Sequence, residues 1–137
     1  MKKRTPISKI MTANPQTVNV TNSLREVHAI FEEGGFHHIP VVSGSKLIGI
    51  ISKTDIERIS FVSQYQGDSV NTTMYDVLSI EQVMTKDVEA VQQSQLIQDA
   101  AVIFSGGSIH ALPVLDGDSV VGIVTTTDIV KYLLDQM

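Results

Sequence analysis

Gly49-Ile50-Ile51-Ser52-Lys53-Thr54-Asp55-Ile56 returns 73 positions later (49 to 122) as Gly122-Ile123-Val124-Thr125-Thr126-Thr127-Asp128-Ile129. The offset holds outward from this stretch. Met11-Thr12 pairs with Met84-Thr85, Val18 with Val91 and Ile30-Phe31 with Ile103-Phe104. Gly34/Gly107, His37/His110, Pro40/Pro113 and Gly44/Gly117 keep the same register, and no gap is needed between 7–57 and 80–130. Such a register marks an internal duplication. Two copies are too few for a solenoid. They imply two similar lobes packed about a pseudo-twofold axis, with repeat 1 at 7–60, a connection at 61–79 and repeat 2 at 80–134.

Each repeat reads as β-α-β-β-α, which makes the fold class α/β. Gln16-Thr17-Val18-Asn19-Val20 alternates and predicts a short strand. Thr21-Asn22-Ser23 supplies N-caps, and Glu26 completes a capping box with Ser23. Leu24, Val27, His28 and Phe31 follow at helical spacing until Gly34-Gly35 ends the helix. Ile97, Ala100, Ala101 and Phe104 form the matching stripe, so His28, aligned with Ala101, is a packing residue. A hairpin joins Ile39-Pro40-Val41-Val42 to Leu47–Ile51, and its copy joins Leu112-Pro113-Val114-Leu115 to Val120–Val124. Consecutive apolar residues in these strands imply cover on both faces. A closing helix is expected to start near Asp55 and near Asp128. Tyr65–Thr72 is polar and rich in turn formers, and predicts a loop.

At this point the chain resembles a tandem CBS domain pair, often called a Bateman module. The residues that carry the likeness are Ile10-Met11-Thr12 and Val83-Met84-Thr85, then His38–Val42 and Ala111–Leu115, and above all the Gly-x-x-Ser/Thr-x-x-Asp stretches. The resemblance implies a disc with two clefts for an adenosine nucleotide (AMP, ADP or ATP) and no obligatory cofactor. Carried over, it assigns ribose binding to Ser52 and Asp55 in one cleft and to Thr125 and Asp128 in the other, with Thr54 and Thr127 alongside. It assigns adenine contacts to Thr17 and Val18, and to Ala90 and Val91. Phosphate contacts fall to His37 and His38 in the cleft of Asp128. In the cleft of Asp55 they fall to His110, with Lys53 as helper, since Ala111 replaces the second histidine. Arg grips phosphate bidentately where neutral His does not, so phosphate binding is expected to be weak or to depend on pH.

Simpler readings stand beside these. Asp55 and Asp128 fit an N-cap role as well as ribose binding. His37 and His38 also fit plain surface histidines, and Met11 and Met84 fit core filling. Gly44 and Gly117 fit turns, while Gly49 and Gly122 fit close packing or a backbone approach by ligand.

Ten Lys/Arg against fifteen Asp/Glu leave a net charge of −5, with no basic stripe beyond Lys2-Lys3-Arg4, so nucleic acid is not expected as a partner. No apolar run is long enough for a membrane span. With no cysteine and no signal peptide, a cytoplasmic home is expected. No nucleophile turn, phosphate loop or His-Glu-x-x-His motif is present, and His37-His38 point to opposite strand faces, so neither catalysis nor a metal is expected. The reading is a non-catalytic sensor of energy state or of adenosyl metabolites. It is expected to form a homodimer and report to an unidentified partner protein. The alternative is a ligand-free dimerisation or docking module.

Overall fold

The structure, a computed structural model, describes residues 4–65 and 75–137. It has the α/β architecture of the duplication. The strands are β1 (Thr12–Ala13), β2 (Val18–Asn19), β3 (His38–Ser43), β4 (Lys46–Ser52), β5 (Val91–Gln92), β6 (Ala111–Asp116) and β7 (Ser119–Thr125). The helices are α1 (Leu24–Glu33), α2 (Lys53–Tyr65), α3 (Ile80–Val83), α4 (Ile97–Phe104) and α5 (Thr126–Gln136). Of the loop expected at Tyr65–Thr72, Tyr65 ends α2 and the remainder lies outside the described residues, as does Lys2-Lys3.

The compact units are cut out of phase with the sequence repeats. One is continuous, residues 16–88; the other joins 1–15 to 89–137. In the continuous unit β2 runs parallel to β3 (Val18 opposite Val41), and β3 runs antiparallel to β4 (Ile39 opposite Ile51). Ser23 caps α1 through the Glu26 amide while Glu26 accepts from the Ser23 amide, so the expected capping box forms. Leu24, Val27 and Phe31 turn inward from α1 and meet Ile39, Val41, Ile51 and Ile56. His28 is half-buried, with its ring 5.0 Å from that of Tyr75. The unit is finished by the stretch after the connection. Ile80 is fully buried in the same core, and Thr85 and Ile50 exchange backbone bonds of 2.8 and 3.1 Å.

The second unit repeats the plan. β5 is parallel to β6, β6 antiparallel to β7, and β1 antiparallel to β7 with Thr12 opposite Ile123. Its core gathers Ile7, Val91, Ala100, Phe104, Leu112, Val114 and Val124. Ile7 thus belongs to the core of the second repeat's strands, as Ile80 belongs to that of the first. Burying one such side chain contributes roughly 1.5–3 kcal/mol.

The first strand is shorter than the sequence suggests. Only Val18-Asn19 is strand, and after the Val20 amide donates to the Val42 carbonyl at 2.9 Å the chain bends into a turn, in which Asn19 Oδ1 takes the Thr21 amide and Asn22 Oδ1 takes the Asn19 amide. Gly44 and Gly117 both hold φ 67 in the hairpin turns, where a side chain would be strained.

Candidate functional site

In the continuous unit the start of β3 (His38, after His37) and the end of β4 lie side by side, with Ser52 opposite His38, while Val18, just after Thr17, pairs with Val41 three residues further along β3. The Lys53 amide donates to the His37 carbonyl at 2.9 Å, fixing the passage from β4 into α2. The Ser52 amide donates to Asp55 Oδ2 at 2.9 Å, and the Asp55 amide donates to Ser52 Oγ at 3.1 Å. Arg58 Nη1 stands 3.6 Å from the other carboxylate oxygen, Oδ1.

The second unit repeats this arrangement with His110, Ala111, Thr125 and Asp128, while Val91, just after Ala90, pairs with Val114 three residues along β6. Ala111 lies opposite Thr125, and the Thr126 amide donates to the His110 carbonyl at 3.1 Å. Asp128 Oδ2 accepts from the Thr125 amide at 2.9 Å and from its hydroxyl at 3.1 Å. Asp128 Oδ1 has no hydrogen-bond or ion-pair partner among the described residues. Ser52, Asp55, Thr125 and Asp128 are half-buried, whereas Thr54, Thr127, His37 and His110 are exposed.

These helix starts correct the sequence reading in one respect. The N-caps are Ser52 and Thr125, and the aspartates sit three residues on, completing capping boxes. The helices therefore begin at Lys53 and Thr126, earlier than expected. The reason is local: the hydroxyl reaches the third amide, and the carboxylate reaches back to the capping residue's own N–H. Each carboxylate spends Oδ2 on the cap. Oδ1 remains able to accept from a ribose hydroxyl, and at Asp55, where Oδ2 takes a single bond, the second lone pair of Oδ2 does too.

Arg58 was not foreseen, although its i,i+3 spacing from Asp55 places the two on one helix face. Met11 and Met84 are half-buried and pack on glycines: Met84 on Gly49, and Met11 on Gly122 with Sδ 2.5 Å from where a Cβ would stand. These glycines thus answer to side-chain packing. A cavity of about 340 Å³ lined by Leu47, Ile48, Asp87 and Val88 contains none of the singled-out residues. It opens at the hairpin end of β4, roughly 16 Å along the strand from Ser52 at 3.3 Å per residue. Among the described residues, no group of three or more His, Asp or Glu side chains is arranged to hold a metal. Among the same residues no helix is long and apolar enough to cross a membrane.

A family model described as CBS domain matches residues 7–61 and again residues 80–135. The CBS domain pair of protein MJ0100, solved with 5′-methylthioadenosine and S-adenosyl-L-methionine, superposes with a TM-score of 0.78. It is 26% identical, and the match covers 98% of this chain and 100% of that one. CBSX2 in complex with AMP gives a TM-score of 0.79 at 20% identity, over 96% of this chain and 98% of that one, a likeness of fold. A homoserine O-acetyltransferase of Methanocorpusculum labreanum is 32% identical over 88% of this chain, which spans 22% of that protein. The chain spans less than half the length of such curated relatives.

Proposed function

Because this chain belongs to the CBS domain family, we propose that it is a non-catalytic regulatory module that binds an adenosine-containing ligand, AMP, ADP, ATP or a related compound. The ligand's ribose engages the Ser52–Asp55 and Thr125–Asp128 helix starts. The observation that carries this reading is the half-used carboxylate: each capping aspartate keeps an oxygen outside its cap, in a half-buried setting. A carboxylate accepting two hydroxyl donors gives short, charge-assisted bonds. The adenosyl ligands of the MJ0100 domain pair, at 26% identity, support the same chemistry. Thr17, Val18, Ala90 and Val91 serve the adenine. His37, His38, His110 and Lys53 serve the phosphates or their replacement.

In this reading the module is cytoplasmic and dimeric, senses energy state or an adenosyl metabolite, and passes the bound state to a partner protein. Neither membrane nor nucleic acid takes part. A ligand shifts such an equilibrium only by its differential affinity for the two states.

A second reading, a ligand-free dimerisation or docking module, is favoured by one observation: the capping boxes alone give both aspartates a structural role. Thermal shift and calorimetry with AMP, ADP, ATP, S-adenosylmethionine, NADH and GTP separate the two. A ligand at a hundredfold over its dissociation constant adds about 2.7 kcal/mol of stability. Stabilisation by an adenosine compound, lost in Asp55→Ala or Asp128→Ala, supports the sensor. Silence across the panel supports the docking module.

A further inference from the structure

We propose that the N-terminal arm, residues 5–15, is exchangeable between copies of this chain, the arm of one copy completing the 89–137 body of another. The occupant of that groove is a second copy. This mode of association does not depend on any ligand.

The arm is an integral part of a unit assembled from two distant stretches. Ile7 is fully buried in the core of the body. Its amide donates to the Gln95 carbonyl at 2.7 Å, the Ser8 amide to Gln93 at 3.1 Å, and the Ile97 amide to Thr5 at 2.9 Å. β1 pairs with β7, Met11 fills the slot over Gly122, and the Asn14 amide donates to Val121 at 3.1 Å. Every one of these contacts joins arm to body. All are satisfied whichever chain supplies the arm, so hinge and concentration decide between closed and exchanged forms.

The equivalent arm of the other repeat, residues 78–88, docks alike and has one additional, exposed tie. Arg25 Nε and Nη2 grip the Asp76 carboxylate at 2.8 and 3.1 Å, just ahead of that arm. The 73-residue offset puts Gln98 and Lys3 at these two positions, a pair without opposite charges. The hinges differ as well. Asn14 (φ 50) and Asp87 (φ 52) occupy equivalent left-handed positions, but Asn14 is followed by Pro15 and Asp87 by Val88. A proline pushes its predecessor toward extended backbone. Straightening the hinge at Asn14 therefore releases a conflict that Asp87 does not carry.

The protein has no cysteine, so single substitutions report contacts cleanly. A Ser8→Cys chain and a Gln93→Cys chain are refolded together from urea and oxidised. Arm exchange predicts about tenfold or more heterodisulfide than a mixture of Ser8→Cys with Ser105→Cys, through the raised effective concentration. Equal yields in the two mixtures overturn the proposal. Gly122→Val, which blocks the Met11 slot, supplies the control. In the Gln93→Cys chain it removes the excess. In the Ser8→Cys chain it raises the excess, because that arm has lost its own body. A misfolded variant would lower the yield in either position, so any pattern other than this opposed pair also overturns the proposal.

Discussion

Met84 lies across Gly49 so closely that a Cβ built on the glycine would stand 2.9 Å from Met84 Cγ and 3.0 Å from the Thr85 carbonyl oxygen. Met11 stands to Gly122 in the same way, with Cγ and the Thr12 carbonyl each 3.0 Å from such a Cβ. Each repeat thus offers a methionine to the strand glycine of the other. The absence of a side chain there permits the arm to hydrogen-bond to the strand.

Gly49→Val and Gly122→Val are each expected to destabilise the protein by about 1–3 kcal/mol, the usual range for overpacking a filled site. The methionine end can move, but the carbonyl cannot retreat without breaking the Thr85–Ile50 bonds. The urea midpoint measures the loss. Gly49→Ala is expected to cost less than Gly49→Val; equal midpoints for wild type and Gly49→Val would remove this account of the glycines.

The capping boxes predict a second series. Ser52→Ala and Thr125→Ala each remove a hydroxyl that accepts from an amide at 3.1 and 3.3 Å. The cost is typically about 0.5–2 kcal/mol. Asp55→Asn keeps an oxygen able to accept from the Ser52 amide, and so is expected to retain most of the stability that Asp55→Ala loses. Equal losses in Asn and Ala variants would show that the reciprocal bond contributes little.

How much of this was legible beforehand follows from the reach of each signal. The α1 capping box was readable because Ser23 and Glu26 are neighbours in sequence and their spacing alone specifies the bond. The role of Asp55 was placed at the helix start but not at its third residue, because hydroxyl and carboxylate are both good caps. Only geometry says which of them stands outside the helix. The residence of Ile7 among the strands of the second repeat was not legible at all. A gapless self-alignment is satisfied equally well whichever core the arm joins, and choosing between them requires the chain path. Arg58 was missed because an exposed arginine three residues past an aspartate is common on helices and carries little information alone.

Acid tests the Arg25–Asp76 pair. The hydrogen bond from Arg25 holds the Asp76 carboxyl below its ordinary value of about 3.9. The folded state thus favours the carboxylate, and its contribution is fully present above that value and is lost as the pH falls through the depressed one. The stability gap between wild type and Asp76→Asn is expected to be largest near neutral pH and to close in acid. Both groups are exposed, so the gap is small and narrows with added salt. Urea midpoints of the two proteins over a pH series measure it. A gap constant with pH would mean that the substitution acts through something other than the ion pair.

The two candidate sites are predicted to be unequal. Asp55 Oδ1 faces the Arg58 guanidinium at 3.6 Å, whereas Asp128 Oδ1 has no partner among the described residues, where Lys131 occupies the equivalent position. A ribose arriving at Asp55 must share the carboxylate with a cation, while one arriving at Asp128 meets an uncommitted oxygen. If the adenosine reading is right, calorimetry shows two classes of site, and Asp128→Ala removes the tighter one. Arg58→Ala then tightens the weaker site by up to about fivefold, as expected from releasing an exposed ion pair of at most about 1 kcal/mol. Should Arg58 instead reach a ligand phosphate, the same substitution weakens that site for ATP and leaves S-adenosylmethionine untouched. The sign of the Arg58→Ala effect on the two ligands therefore tells a competitor for the carboxylate from a phosphate contact.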